Sequence, residues 1–256
     1  MDLTSQIEQF SQRALAPELY AWLFEQRQKA LRQREHFFAA FSRAGRQSCG
    51  VQNFSPITFT LAVSEPLSWS AQQWQASTLA RAFLLTTFSE HLWLDQLEAT
   101  FITADLSESV DLYRLLPLCW GASKLQKLQW RLSEGLRNSS LSIIQACLYA
   151  SPLPQNILDL ELWNRMLLKA LHLNLSVELV EGRASRRNDH LDQMLLAFAS
   201  EKAIAQREIP LELWDEIQMK SSVNFLAELR RLMIQHPNGD FRKELALRFS
   251  ERLASQ

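Results

Sequence analysis

A chain of 256 residues with 27 lysines and arginines against 28 aspartates and glutamates carries a formal net charge of −1, which argues against a nucleic-acid partner, because such proteins usually show a basic excess. Six glycines and eight prolines are too few to turn a sandwich or barrel, whereas 47% hydrophobic and 21% charged residues suit a packed globular core. Cys49, Cys119 and Cys147 stand far apart with no CxxC or Cys/His cluster, so they read as reduced thiols of a cytoplasmic protein.

The first residues show neither a basic nor an apolar leader segment, and no apolar run approaches the roughly 20 residues of a membrane span, so no signal peptide and no membrane insertion are expected. Helical periodicity starts at Leu3 and reaches Arg13. Pro17 opens a second helix that carries Leu19, Trp22 and Leu23 and continues to Phe41. Arg27, Lys29, Arg32 and Arg34 line up along it, diluted by Glu25 and Glu35, the pattern of a solvated face. From Gly45 to Trp69 the helical pattern lapses, and Ile57, Phe59, Leu61 and Val63 alternate with polar or small residues as in a half-buried strand. A lone strand lacks partners for its backbone, so Pro56–Ser64 is predicted as an extended segment on helices, or at most a small edge pairing. Ser70 and Gln73 are predicted to box the next helix, with Trp69 packed on Trp74.

Helical spans follow at Ala71–Phe88, Glu90–Ala104, Ser107–Leu116, Ser123–Arg137, Leu141–Ala150, Asp159–Leu173, Leu175–Val180, Asp189–Arg207, Leu211–Met219, Ser222–Gln235 and Asp240–Leu253. Ser123 and Asp159 sit where caps belong. A leucine just ahead of a tryptophan opens a helix three times, in Pro17–Trp22, Leu160–Trp163 and Pro210–Trp214. This weak echo suits an all-α fold of irregular helical pairs stacked as a short α-solenoid, with a compact helical bundle as the alternative. Residues 1–217 read as one helical domain containing the irregular stretch 45–69, and residues 218–256 as an appended helical hairpin that folds back or supports a homodimer.

Catalytic signatures are absent. His91 and Asp95 share a helix face beside Glu90, but no third ligand follows at a defined spacing, so no metal is expected. The other histidines are isolated, the glycines form no phosphate loop, and there is no G-x-S-x-G elbow. No catalytic residue and no cofactor are predicted.

Ser123 to Asn188 is the informative region. Leu125, Leu128, Leu132 and Leu136 form a core stripe, which leaves Trp130, Glu134 and Arg137 on the opposite side of the same helix. A tryptophan on a wet face reads either as a second packed layer or as the wall of a groove. The helix from Asp159 is apolar nearly all round, through Leu160, Leu162, Trp163, Met166, Leu167, Leu168 and Leu171, and so is expected to be central. Lys169 projects among Leu162, Met166 and Leu173, where an ammonium must snorkel, pair or lose its proton. Glu134 is its predicted partner, in a structural ion pair or beside a ligand.

These residues resemble the EboA family, helical proteins encoded in the bacterial and algal ebo gene cluster. The resemblance is carried by Trp69, Trp74 and Arg81, by Glu134-Gly135-Leu136-Arg137-Asn138 and by Pro152-Leu153-Pro154. It is strongest at Trp163-Asn164-Arg165-Met166-Leu167-Leu168-Lys169-Ala170, and it continues through Gly182, Arg187-Asn188, Met194-Leu195-Leu196 and Glu212-Leu213-Trp214. Where the family pattern has an Ala-His-Glu-Arg-like run, this chain has Ala199-Ser200-Glu201-Lys202, so no role passes to a histidine there. The resemblance implies a setting rather than a reaction: a cluster that moves secondary metabolites and also encodes a prenyltransferase-like membrane protein and barrel-type enzymes. The expected role is therefore a non-catalytic accessory protein that binds a small aromatic or prenylated metabolite, or another protein of the cluster. A pure scaffold, and an enzyme using Lys169 and Glu134 in acid–base or Schiff-base chemistry, are the alternatives. The candidate ligand residues are Trp130, Glu134, Arg137, Asn138, Trp163, Asn164, Lys169, Arg187 and Asn188, in which aromatic faces and orienting polar groups combine as in a ligand pocket.

Overall fold

The Asp2 carboxylate accepts the Ser5 amide at 2.7 Å and so starts the first helix, α1 (Leu3–Ala14). The computed structural model describes residues 2–48, 57–61, 67–121, 124–149, 151–205, 207 and 209–216, together with Ala227, Arg231, Ile234, Gly239 and Lys243. The expected hairpin at 218–256 lies outside the described residues apart from those five positions. The chain divides into two compact units. Unit 1 comprises residues 1–158 and 179–181, and unit 2 comprises residues 159–178 and 182–256.

In unit 1, Pro17 opens α2 (Pro17–Arg32) as predicted, but the helix does not continue to Phe41. Gln33 is extended, and α3 (Glu35–Gln47) begins two residues later. The break lets Phe37, Ala40, Phe41 and Ala44 turn inward together, and all four are buried.

The alternating segment does form a strand, and it has a partner. β1 (Thr58–Leu61) pairs antiparallel with β2 (Leu67–Ser70) in the register Phe59↔Trp69. Its second edge is met by a side chain: Gln6 of α1 donates to the Thr60 carbonyl at 3.0 Å and accepts the Thr60 amide at 2.9 Å. That answers the backbone's need for partners without a third strand. Phe59 stacks on Trp69 at 5.3 Å and meets Trp74 at 5.1 Å. The predicted capping box at Ser70 is corrected by this pairing. Ser70 ends β2, and α4 (Ala76–Leu85) starts five residues later than Ala71, with Gln75 and Thr78 as its reciprocal box. The predicted contact of Trp69 with Trp74 is present, at 5.6 Å.

Every residue of α4 except Ser77 is buried. It packs on α1, α2, α3 and α6, which makes it the centre of unit 1. A 3-10 turn at Glu90–Leu92 leads into α5 (Trp93–Phe101), and α6 (Leu106–Leu115) starts at an Asp105/Glu108 capping box. α7 (Leu125–Arg137), α8 (Leu141–Leu148) and α9 (Leu153–Ile157) complete the unit. Ser123 lies outside the described residues, and Lys124 holds the cap position of α7. Leu128, Leu132 and Leu136 are buried as the core stripe requires, whereas Leu125 is exposed.

In unit 2, Asp159 caps α10 (Leu160–His172) by accepting the Leu162 amide at 2.8 Å, and α10 packs on α11 (Asp189–Ile204), which in turn packs on α12 (Leu211–Glu216). The expectation that α10 is apolar all round is corrected. Trp163, Asn164, Met166, Leu167, Ala170 and Leu171 are buried, but Leu160, Glu161, Arg165 and His172 form an exposed side. The Leu175–Val180 span reduces to a 3-10 turn at Val177–Leu179. Both units are helical with one two-stranded sheet among the described residues, so the all-α reading holds.

Candidate functional site

The predicted site residues fall into two groups, one in each unit. Trp130, Glu134, Arg137 and Asn138 belong to the second half of α7, in unit 1. Trp130 is 52% exposed, and the Arg131 guanidinium lies 4.8 Å from its ring. Arg131 is itself held by Glu98 and by the Phe101 ring at 4.2 Å, so the exposed tryptophan rests on a fixed cation. Glu134 forms an ion pair with Arg137 one turn along, both in contact with solvent. The Asn138 side chain accepts the Ser140 amide at 2.8 Å and ends the helix. Gly135, inside the Glu-Gly-Leu-Arg-Asn motif, has a packing role: a Cβ there would stand 2.5 Å from Cys147 Sγ and from the Tyr113 ring.

Trp163, Asn164, Lys169, Arg187 and Asn188 belong to unit 2. Trp163 and Asn164 have no solvent exposure. Asn188 caps α11 by accepting the Leu191 amide at 2.9 Å, and its side-chain amide exchanges two hydrogen bonds with that of Asn164, at 3.0 and 2.9 Å. A buried amide costs free energy unless its donors and acceptor are met, and here each asparagine meets the other. The guanidinium of Arg186 lies 4.8 Å over the Trp163 ring, and partial burial pushes its pKa below the ordinary arginine value. Gly182, at φ 78°, supplies the left-handed turn that leads the chain into this stretch. Together these residues tie the start of α11 to the middle of α10.

Beyond this tie, the same two helices enclose a cleft of about 570 Å³. Leu168, Phe198 and Ala205 give it an apolar floor, and Arg165, Lys169, His172, Lys202 and Arg207 surround it against a single acid, Glu201. The Lys202 ammonium is 5.3 Å from the Phe198 ring centre and the His172 ring is 5.9 Å away. Arg165 is neutralised by Glu161 on its own helix at 2.5 Å. Cations near the ends of α10 and α11 also complement the helix dipoles, so the site's net positive character is modest. Of the predicted residues only Lys169 lines this cleft. Its predicted partner Glu134 is engaged with Arg137 and belongs to unit 1. Leu168 with His172 and Phe198 with Lys202 are i, i+4 pairs that put an apolar and a basic side chain on each wall, a spacing too common in helices to mark a cleft by itself.

Sequence reasoning also missed a buried charge in unit 1. Arg81 and Asp111 are 1% and 2% exposed and form an ion pair. Arg81 Nε donates to the Phe41 carbonyl at 3.1 Å, and Asp111 accepts from Thr78 at 2.5 Å and from Arg114 at 3.4 Å. The signal was an arginine at the centre of Leu79-Ala80-Arg81-Ala82-Phe83-Leu84-Leu85, where no charge survives unpaired. Of Glu90, His91 and Asp95, Glu90 accepts the Thr4 amide at 3.0 Å, the His91 backbone carbonyl accepts from Lys124, and Asp95 pairs with Lys127 at 2.6 Å, which lowers its pKa. Among the described residues no group of three or more metal-ligating side chains converges, and no helix is long and apolar enough to cross a membrane.

No curated protein and no solved structure matches the chain. One protein family does, that described as metabolite traffic protein EboA, over residues 3–218, and this span takes in the α7 group, the asparagine tie and the cleft of α10 and α11. The chain belongs to the EboA family.

Proposed function

We propose that this chain is a non-catalytic accessory protein of metabolite traffic, and that the cleft between α10 and α11 holds a small aromatic or prenylated molecule. The observation that carries this reading is the composition of the cleft. An apolar floor with an aromatic ring, ringed by a few charged groups, is the chemistry of a small-molecule pocket, and about 570 Å³ lies within the usual size of one. The asparagine tie supports it by joining the two helices that form the walls, at the start of α11 and in the first half of α10. Lys169 would then orient the ligand, and Trp163, Asn164, Arg187 and Asn188 would set the spacing of the helices rather than touch it.

A second reading rests on the exposed Trp130, which with Glu134, Arg137 and Asn138 offers a docking face for another protein of the pathway. An enzyme built on Lys169 and Glu134 draws no support from Glu134, whose carboxylate is paired on its own helix. Mass spectrometry of small molecules released from the protein purified from its native host tests the proposal. A metabolite carried by the wild type and lost in Lys169→Met supports it. An empty wild type, or a metabolite retained equally by the variant, removes the cleft from consideration.

A further inference from the structure

Unit 1 contains clefts that the reading above does not use. Ser77 and Ser107, the second residues of α4 and α6, both line a cavity of about 800 Å³ and a neighbouring one of about 660 Å³, so the two helices start at one place. A helix leaves its first amides without partners in its own hydrogen-bond ladder. The capping boxes Gln75/Thr78 and Asp105/Glu108 engage the third amide of each helix. The amides of Ala76, Ser77, Leu106 and Ser107 have no protein acceptor among the described residues.

Helix starts alone do not make a site; Arg81 adds an independent feature. Its side chain, almost wholly buried, lines the larger cavity. Nε and Nη1 are committed to the Phe41 carbonyl and to Asp111, and Nη2 has no acceptor among the described residues. Nη2 lies 2.9 Å from where a Cβ on Gly45 would stand, so glycine is what leaves room for the guanidinium's third corner. The nearby carboxylates have partners of their own: Asp105, which also lines the cavity, accepts the Glu108 amide at 2.8 Å, Glu108 accepts from Ser42, and Asp111 is shared by Thr78, Arg81 and Arg114. What remains is a set of donors, from backbone, hydroxyl and guanidinium, that converge on one cavity, with the Asp105 carboxylate on its wall.

We infer that this cavity is a second binding site, for the oxyanion of a small molecule, a phosphate or carboxylate group held by the first amides of α4 and α6, the Ser77 and Ser107 hydroxyls and the outer edge of Arg81. Calorimetric titration of the full chain with inorganic phosphate, and separately with acetate, at constant ionic strength tests it. The wild type takes up one of the two saturably, and which one identifies the source of the oxyanion. Ser107→Asp places a carboxylate where the ligand's would sit. Because acids are favoured in a first helical turn, this variant keeps its melting temperature while its affinity falls about tenfold or more. Ser77→Asp acts in the same way from the other helix. A wild type that binds neither ion overturns the inference, and so does binding that survives both substitutions unchanged.

Discussion

The buried helix α4 of unit 1 and the cleft of α10 and α11 in unit 2 handle charge in opposite ways, although unit 2 has an ion pair of its own between Arg183 and the buried Glu216. In unit 1 the arginine of the buried helix α4 is removed from water and held by an aspartate, a carbonyl and the space above a glycine. In unit 2 the cations of α10 and α11 stay at the rim of an apolar cleft, where solvent still reaches them. A desolvated pair must be complete, because losing one partner leaves a buried charge that several kcal/mol cannot easily offset. Rim charges carry no such obligation, and each contributes little to stability. The first arrangement fixes α3, α4 and α6 relative to one another; the second keeps its cations in contact with solvent.

The contrast is sharpest in mutants. Asp111→Ala strands Arg81 and is expected to cost about 3–5 kcal/mol in urea unfolding, whereas the paired change of Arg81 and Asp111 to methionine and leucine should cost less than the single one. A single substitution that is nearly neutral breaks the comparison. Gly135→Ala tests packing rather than charge. Its methyl would meet Cys147 and Tyr113, and overpacking of this kind costs about 1–3 kcal/mol, read from the shift in the denaturation midpoint.

Alkaline unfolding gives a smaller and graded effect in unit 1. Burial pushes the Cys119 thiol and the Tyr113 phenol up to about 12 each. Their folded values lie above their unfolded ones, so the stability they contribute is complete below the ordinary thiol and phenol ranges and falls as pH rises towards 12. Melting temperature measured from pH 8 upward should decline, and less steeply in Tyr113→Phe. A flat profile would show that neither group is shielded. The smallest effect belongs to unit 2: Lys169→Met should change stability by less than about 1 kcal/mol, since the ammonium lies at a rim and not in a core.

Much of the fold was legible because it follows from local rules. Pro17 and Asp159 start helices by local chemistry that needs no tertiary partner, and the alternation around Phe59 marks a strand wherever it pairs. The start of α4 was not legible, because Trp69 belongs to a strand partner that no helical rule reveals. The site was legible in part. Periodicity placed Trp130 on an exposed face and Lys169 among Leu162, Met166 and Leu173, but it paired Lys169 with Glu134 across the sequence when the nearer answer for Glu134 was Arg137, one turn away. Phe198 and Lys202 went unread since nothing in α11 alone says which of its faces meets α10. Arg81 was named only as part of a resemblance, and its burial depends on four helices enclosing α4.

The central claim, that the cleft of α10 and α11 carries the metabolite, is tested most directly by native mass spectrometry of the protein from its own host, comparing wild type, Lys169→Met and Trp130→Ala. The account predicts a bound small molecule in the wild type and in Trp130→Ala, and its loss in Lys169→Met. Loss in Trp130→Ala with retention in Lys169→Met would contradict it and move the site to α7.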